Sequence, residues 1–272
     1  MAFDLDDLIK CMSLRDVDGD VEGDNLDIGY HRVFGGQILA QIISAASGAS
    51  PEKSVKSMTV LFPREGDTSK PMRDSVNKLQ DGRTFGTTEV IANQDGKTIS
   101  AAILSMHAHE ESDLRRSDPP PAVGRGVDAT PSTIDMIPFE IRVVNNVDLA
   151  DHGTGPAEYQ MWMRAKGAAG QPLSLQQGLL AHSTDLTIIG TALRPFEGVS
   201  QADSTITLHT AVTAHSVWFH QPFDLSEWVL LAQTSPVVAN GRAFGRGDIF
   251  NSAGEVIASF AQESMIRSIQ PS

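Results

Sequence analysis

The sequence has few of the features that mark secreted, membrane-spanning or nucleic-acid-binding proteins. It contains one cysteine, Cys11, among 272 residues, so no disulfide can form within the chain and a reducing compartment suits it. No apolar run is long enough to span a bilayer. The first residues are acidic where a signal peptide needs basic charge, and the final IQPS differs from a peroxisomal address. We therefore expect a cytoplasmic protein with no membrane partner.

Basic charge is also scarce. The chain has 21 lysines and arginines against 34 acidic residues, which gives a net charge of −13. Nucleic acids and anionic lipid surfaces need a basic face, so we expect neither as a partner. The net charge does not exclude a small ligand that carries phosphate, because a few arginines can gather locally. The sequence has neither a Gly-x-Ser-x-Gly string nor a cluster with metal-ligand spacing, so we expect no serine-hydrolase motif and no metal.

What the sequence does contain is a long internal repeat. Residues 81–107 and 240–265 carry similar residues at matching places. The matched pairs include Arg83 and Arg242 (159 positions apart), Phe85 and Phe244 (159), Ile99 and Ile257 (158), and Phe62 and Phe219 (157). A nearly constant offset indicates one folding unit that occurs twice, and we expect function where the two halves differ.

In the first half, an apolar stripe at helical spacing predicts a helix from Gly36 to about Ser47. Two Asp-Gly turn signals separate β-rich runs, which predicts antiparallel hairpins. The predicted strands are 57–63, 71–79, 84–93 and 97–107. The acidic stretch 16–24 resembles the start of a calcium loop, but Val21 stands where the turn needs glycine. A solvated loop is therefore the preferred interpretation of this stretch.

The second half repeats this plan. Its long helix is predicted over 173–193, after Pro172. The predicted strands are 139–144, 158–165, 204–220, 227–234, 242–250 and 255–266. We divide the chain into an N-terminal unit (1–110), a Pro-rich linker (111–135) and a C-terminal unit (136–272). A long helix wrapped by an antiparallel sheet, present twice, predicts an α+β double hotdog.

Several strings resemble the acyl-CoA thioesterase II family, the TesB-like double hotdogs. They are VFGGQILAQ (33–41), HSTDLTIIGTAL (182–193), HSVWFHQPFDLSEWVLL (215–231) and GRAFGRGDIFNSAGEVIASFAQE (241–263). The resemblance covers the chain apart from the linker. It implies hydrolysis of fatty acyl-CoA thioesters by a water molecule that a carboxylate, an amide and a hydroxyl hold and activate. Carried over position by position, it identifies Asp185 as the catalytic carboxylate and Gln262 as the catalytic amide.

The hydroxyl of this pattern is absent. The family has a threonine three residues before the histidine of the HSxWFH string, and counting back from His215 gives Val212. Regular strand alternation places Thr210, Val212, Ala214 and Trp218 on one face, and it directs Thr213 to the other face unless a bulge intervenes. Thr210 is on the correct face, but it lies roughly 7 Å along the strand. Losing one positioning hydrogen bond reduces transition-state stabilisation by about 2–4 kcal/mol.

Glycines next to a helix start predict where the substrate carbonyl is polarised. A backbone N–H at a helix N-terminus can donate to it, and glycine lets the substrate come close. The two candidate pairs are Gly35-Gly36 and Gln177-Gly178. With Val212 and Thr210, Gly35 and Gly36 complete the predicted substrate-binding set.

Other conspicuous residues receive structural interpretations. His215 and His220 are interpreted as structural strand histidines, because no nucleophile motif accompanies them. Trp218 and Trp228 are interpreted as core or interface anchors. Arg83 and Arg242 follow tight turns, where pairing with acids is favoured over contact with CoA phosphates. Cys11, in a predicted N-terminal helix, has no activating partner in the sequence.

The leading hypothesis is an acyl-CoA hydrolase that needs no cofactor, takes acyl-CoA as its small-molecule substrate and assembles as a homodimer or larger homo-oligomer. The alternative is a binding protein that keeps the acyl-CoA pocket with an impaired site, which the substitution at Val212 favours. A purely structural assembly unit is a third hypothesis, and the retained Asp185 and Gln262 argue against it.

Overall fold

The computed structural model describes residues 3–124 and 130–269. Within these ranges, one antiparallel sheet of 13 strands has the order β1-β2-β4-β5-β6-β3-β10-β13-β12-β11-β9-β8-β7. The first-half strands are β1 (Arg15–Val17), β2 (Asp20–Gly23), β3 (Ser54–Leu61), β4 (Met72–Asp81), β5 (Phe85–Gln94) and β6 (Lys97–His107). The second-half strands are β7 (Thr130–Ile134), β8 (Ile137–Val143), β9 (Glu158–Arg164), β10 (Leu208–Phe219), β11 (Val229–Ala239), β12 (Arg242–Phe250) and β13 (Val256–Ser268). The helices are α1 (Leu5–Cys11), α2 (Gly35–Ala49), α3 (Leu173–Thr184) and α4 (Thr187–Leu193).

All ten strands predicted from the sequence are present, with ends shifted by five residues at most. The turn residues explain this accuracy. Asp95-Gly96 and Asn240-Gly241 both have positive φ at two successive positions, which is the backbone of the two-residue hairpin turn that these pairs favour. The pair Asp18-Gly19 has the same conformation and joins β1 to β2. The solvated-loop interpretation of 16–24 is therefore wrong, because this stretch forms a hairpin at the sheet edge.

The two halves meet where β3 pairs with β10. Thr59 and Ser216, which are 157 positions apart, face each other in this pairing, and their hydroxyl oxygens lie 2.9 Å apart. Because Thr59 and Ser216 are also counterparts in the repeat, a local pseudo-twofold axis relates the two halves at this contact. The strand β7 begins inside the stretch 111–135 that the composition assigns to a linker. No helix in the described ranges is long and apolar enough to cross a membrane.

Helix α2 is buried on almost every side. Its polar residues Gln37 and Gln41 are bonded internally: Gln37 Oε1 accepts from the Leu26 N–H at 2.9 Å, and Gln41 Nε2 donates to the Asp24 carbonyl at 2.9 Å. The helix packs antiparallel against α3, with glycines at the contact. A Cβ atom on Gly36 would lie 2.5 Å from the His182 carbonyl oxygen. Side-chain-free positions therefore allow the two helices to touch through their backbones.

The helix predicted over 173–193 is broken at Asp185. Helix α3 ends at Thr184 and α4 begins at Thr187. Just before the break, the hydroxyl of Ser183 donates to the Leu180 carbonyl at 2.7 Å, and the hydroxyl of Thr184 lies 2.8 Å from the Ala181 carbonyl. Such side-chain bonds compete with the backbone ladder and bend helices. Asp185 consequently lies at the junction of two short helices.

Candidate active site

Asp185 is a buried carboxyl group beside the start of another helix. Its side chain is 5% exposed, and its Oδ1 atom has no hydrogen-bond partner in the described part of the chain. Burial raises the pKa of Asp185 to about 7, while the Gly36 backbone N–H acts in the opposite direction. The carboxyl can therefore exchange a proton near neutral pH, which is what a general base needs.

Gly35 and Gly36 form the first turn of α2, directly against Asp185. A Cβ atom on Gly35 would lie 2.8 Å from Asp185 Oδ2 and 3.0 Å from Val212 Cγ1, so both side chains flank the same point. The N-cap residue Phe34 supplies no side-chain hydrogen bond. The Gly36 N–H is directed to the Asp185 carboxyl, and the other first-turn N–H groups, at the positive end of the helix dipole, can bind an oxygen atom.

The prediction that Gln177-Gly178 polarises the substrate carbonyl is wrong. Gln177 and Gly178 lie in the middle of α3, where backbone N–H groups bond to the preceding turn. The Gln177 side chain donates from Nε2 to the Val55 carbonyl at 2.8 Å, and a Cβ on Gly178 would lie 3.4 Å from the Ala40 carbonyl oxygen. Gly178 therefore allows α2 and α3 to pack closely.

Gln262 is 1% exposed and belongs to a chain of buried hydrogen bonds. Its Oε1 lies 3.0 Å from His215 Nδ1, and its Nε2 donates to Ser264 Oγ at 3.0 Å. The other ring nitrogen, His215 Nε2, lies 3.0 Å from Thr184 Oγ1. Because Thr184 immediately precedes Asp185, this chain connects the amide on β13 to the helix junction that carries the carboxylate.

The protonation of His215 fixes the direction of these bonds. Burial lowers the pKa of His215 to about 4, so the ring is neutral at pH 7. A neutral ring donates from one nitrogen and accepts at the other. With Gln262 Nε2 bound to Ser264, Gln262 Oε1 accepts from the His215 Nδ1–H, which leaves His215 Nε2 as an acceptor 3.0 Å from Thr184 Oγ1, whose proton is shared with the Ala181 carbonyl. His215 thereby holds the orientation of the Gln262 amide.

A β-bulge at Thr213 changes which residues of β10 face inward. The register against β13 shifts between Val212 and Ala214, and the first half has the same shift between Val55 and Ser57 of β3. Beyond the bulge, His215, Val217 and Phe219 are buried, while Trp218 is 41% exposed. The expected shared face of Val212, Ala214 and Trp218 is therefore wrong, and Trp218 is no core anchor.

The remaining hydroxyls of β10 lie apart from this point. Thr213 is directed outward, and its Oγ1 donates to Glu263 Oε1 at 2.8 Å. Thr210 is buried, pairs with Ile266, and accepts a bond at its carbonyl from Arg32 Nη2 at 3.1 Å. The sequence interpretation overlooked Arg32, which carries no motif of its own.

The polar chain exists in only one half of the molecule. His215 pairs with Gln262 across β10 and β13, and the corresponding pair across β3 and β6 is Met58 with Leu104. Ser264 likewise corresponds to Met106, at an offset of 158. Both methionines and the leucine are fully buried. Apolar side chains fill the same positions in the first half. The fold itself therefore does not require the polar side chains of His215, Gln262 and Ser264.

Outside this region, other candidates have structural roles. Arg242 pairs with Glu263 at 3.2 Å as expected, whereas the acid pairing expected for Arg83 is wrong, because Arg83 is exposed with no ion pair in the described ranges. Burial raises the pKa of the Cys11 thiol to about 12, so this cysteine carries no thiolate at neutral pH. Over residues 3–124 and 130–269, no three His, Cys, Asp or Glu side chains are grouped to hold a metal ion.

Comparison with known proteins identifies the family. Residues 133–265 match the family model described as "Acyl-CoA thioesterase", and residues 23–107 match "Acyl-CoA thioesterase N-terminal domain". Acyl-CoA thioesterase 2 of Haemophilus influenzae is 33% identical, over 97% of this chain and 98% of that protein. Acyl-coenzyme A thioesterase 8 of Mus musculus is 28% identical, over 87% and 80% respectively.

Solved structures agree with these matches. The tesB protein of Mycobacterium avium subs paratuberculosis superimposes with a TM-score of 0.82 at 27% identity, covering 97% of this chain and 99% of that one. Acyl-CoA thioesterase II TesB2 of Mycobacterium marinum gives 0.81 at 26% identity with the same coverage. The antiparallel sheet and its helices fit a double hotdog. The chain belongs to the TesB-like acyl-CoA thioesterase II family.

Proposed function

We propose that this protein hydrolyses fatty acyl-CoA to a free fatty acid and CoA, at a site formed by Asp185, Gln262 and the first turn of α2. Membership of the thioesterase family supports the reaction. The observation that carries the choice of site is the buried Asp185 carboxyl, with a pKa of about 7 and an unpartnered oxygen, beside the uncapped start of α2.

The reaction is an attack by water on the thioester carbonyl carbon. The water oxygen forms the new bond to carbon while Asp185 takes one of its protons, and the carbonyl oxygen becomes an oxyanion. First-turn N–H groups of α2 that Asp185 does not engage, such as that of Gly35, stabilise that oxyanion. The intermediate then collapses, the carbon–sulfur bond breaks, and the electron pair leaves with sulfur. The proton held by Asp185 passes to the thiolate, so one water yields one acid and one thiol.

Gln262 and His215 have different roles in this scheme. The amide of Gln262 orients the attacking water, and His215 is a positioning residue that acts through Gln262. Val212 contributes an apolar contact beside the carbonyl, and Thr210 packs one inward pair further along β10. Arg32, whose side chain is 11% exposed and paired with Glu65 at 2.6 Å, holds the Thr210 end of β10.

Thiol release from acyl-CoA is the test of this function. The purified protein is mixed with acyl-CoAs of several chain lengths, and the free thiol is followed with a chromogenic disulfide. Steady release well above the rate in buffer is expected for at least one chain length. Saturable binding without release across the whole series would instead establish the alternative, an acyl-CoA-binding protein with an impaired site.

The pH dependence of this release is a separate prediction. Asp185 must be ionised to accept a proton, so kcat/KM is expected to rise about tenfold per pH unit below the pKa near 7 and to level off above it. Burial lowers the pKa of both His215 and His182 to about 4, so neither titrates in this interval. A profile that is flat from pH 5.5 to 8.5 would contradict the role of Asp185.

A matched pair of substitutions tests the positioning role of His215. His215→Asn keeps a donor close to the place of Nδ1 and should hold Gln262, so kcat should stay within about fivefold of wild type. His215→Gln places its amide towards Thr184 and loses that donor, so kcat should fall by about 30-fold or more with KM changed little. Equal losses in both variants, in proportion to their loss of thermal stability, would show that His215 only packs.

Three finer expectations belong with this proposal. We infer that each half consists of a central helix enclosed by its part of the sheet, that two or more copies assemble, and that the protein acts in the cytoplasm. The family resemblance and the strand pairing support the first, and the resemblance supports the second. Light scattering after size-exclusion chromatography measures the assembly directly, and a monomer at all concentrations would contradict it.

A further inference from the structure

We propose that the hydroxyl of Ser264 takes the place of the hydroxyl that Val212 lacks, so that the water-holding group is supplied by β13 and not by β10. This inference rests on the proposed function, since it names a third residue of the same site. The threonine of the family pattern belongs at position 212, and the residue directly opposite position 212 in this sheet is Ser264.

The sheet pairing puts the two positions side by side. Residues opposite each other in an antiparallel pair share one face, with Cβ atoms about 4.5–5.5 Å apart. Val212 faces inward, because its Cγ1 would lie 3.0 Å from a Cβ on Gly35. Ser264 is completely buried on the same inner face, two residues from Gln262. A hydroxyl moved from position 212 to position 264 therefore stays within the same small volume.

Hydrogen-bond accounting shows that Ser264 has a proton to give. Its Oγ accepts from Gln262 Nε2 at 3.0 Å, and its own hydroxyl proton has no acceptor in the described part of the chain. Ser183 differs in this respect, because its buried hydroxyl donates to a backbone carbonyl. Buried polar hydrogens are normally paired, so a buried O–H with only its oxygen engaged is suited to donate to a bound molecule.

A complementary acceptor lies close to position 212. Asp185 Oδ1 is buried without a hydrogen-bond partner, and Oδ2 of the same carboxylate adjoins Gly35, which also adjoins Val212. A water molecule that donates to Asp185 and accepts from the Ser264 hydroxyl would satisfy both groups. The second lone pair of the water oxygen would then be free for attack on the carbonyl carbon.

The other hydroxyls of β10 cannot take the same place. The bulge directs Thr213 outward, where its hydroxyl donates to the Glu263 carboxylate and to the Glu263 carbonyl. Thr210 lies opposite Ile266, one inward pair further along the ladder. The Ser264 hydroxyl, in contrast, accepts a hydrogen bond from Gln262. This contact identifies Ser264 as the replacement for the missing hydroxyl.

Moving the hydroxyl back to the neighbouring strand is the decisive experiment. Ser264→Ala is expected to lower kcat about 100-fold. In a Val212→Thr background, the same Ser264→Ala change should lower kcat by less than about tenfold, because threonine at 212 again supplies a hydroxyl. Thr213→Val, which removes an outward hydroxyl from the same strand, should leave kcat unchanged. Thermal unfolding of each variant is measured alongside, and Ser264→Thr, which retains the hydroxyl, replaces the alanine comparison if the alanine variant does not fold.

The outcomes separate this inference from the proposed function. If Ser264→Ala keeps wild-type kcat, or if its loss is the same in both backgrounds, the Ser264 hydroxyl does not replace that of the family threonine. Retention of less than a tenth of wild-type kcat by a folded Ser264→Thr variant would contradict the inference as well. If the wild-type protein releases no thiol from any acyl-CoA, the proposed function itself fails.

Discussion

Replacing Asp185 with asparagine should abolish thiol release and, at pH 8, make the protein more stable. The expected loss in kcat is at least about 1,000-fold, because the general base disappears while the shape of the side chain is retained. The gain in stability has a separate cause. An ionised carboxylate that is 5% exposed, with one oxygen unpartnered, is costly to bury, and a neutral amide removes that cost.

The sign of the stability effect follows from the pKa. Burial raises the pKa of Asp185 from 3.8 to about 7, so the folded protein holds the proton more tightly than the unfolded chain does. The stabilising contribution is complete below about pH 4 and is lost as the pH rises through 7. The difference is of the order of 4 kcal/mol, an upper estimate because the asparagine amide also needs partners. Urea unfolding at pH 5 and pH 8 measures it.

Asp74 provides a matched control for this variant. It lies in β4 of the first half, is 1% exposed, and burial raises its pKa to about 7 as well. Neither of its carboxylate oxygens has a partner in the described ranges. Asp74→Asn should therefore raise stability at pH 8 while kcat remains that of wild type. If Asp185→Asn keeps activity, the catalytic assignment is wrong, and if it destabilises the protein at pH 8, the assigned cost of the buried charge is wrong.

Replacing Gln262 with leucine has the second-largest expected effect. Leucine is the residue that the first half has at this position, Leu104, so the change is compatible with the fold. We expect kcat to fall by about 100- to 1,000-fold, since one preorganised hydrogen bond in a buried site is worth that much. The variant also leaves His215 Nδ1 without its partner, which should lower the free energy of unfolding by about 1–3 kcal/mol.

Gln233 separates the catalytic part of that effect from the structural part. It is also 1% exposed in the second half, where its Oε1 accepts from Thr187 at 3.0 Å and its Nε2 donates to Thr191 at 2.6 Å. Gln233→Leu should lower stability to a similar extent and leave kcat within about threefold of wild type. Equal losses of kcat in the two variants would mean that Gln262 contributes only to packing.

The strongest sequence signals were those with a short-range physical cause. Asn-Gly and Asp-Gly pairs set their own backbone conformation, so the hairpins at 95–96 and 240–241 were predictable. The repeat offset of 157 predicted two like halves, and it now marks the Thr59–Ser216 contact at which they meet. The family strings made Asp185 and Gln262 the candidate catalytic residues, and the structure places Asp185 beside Gly35 and Gly36.

The features that the sequence did not predict depend on long-range contacts. A bulge moves every later residue of a strand to the other face, and the amino-acid sequence around Thr213 gives no signal for one. The break at Asp185 lies between residues whose helical propensity is ordinary, and it results from hydroxyl bonds to the preceding turn. The connection of His215 to Gln262, and the position of Ser264 opposite Val212, both require the register of β10 against β13.

A crystal structure of the Asp185→Asn variant with an acyl-CoA bound tests the central claim most directly. The proposed mechanism predicts one ordered water within hydrogen-bonding distance of the residue-185 amide and the Gln262 amide, and about 3–3.5 Å from the thioester carbonyl carbon. The carbonyl oxygen should face the first-turn N–H groups of α2 at Gly35. A thioester bound elsewhere, or side chains at 185 and 262 too far apart to share one water, would contradict it.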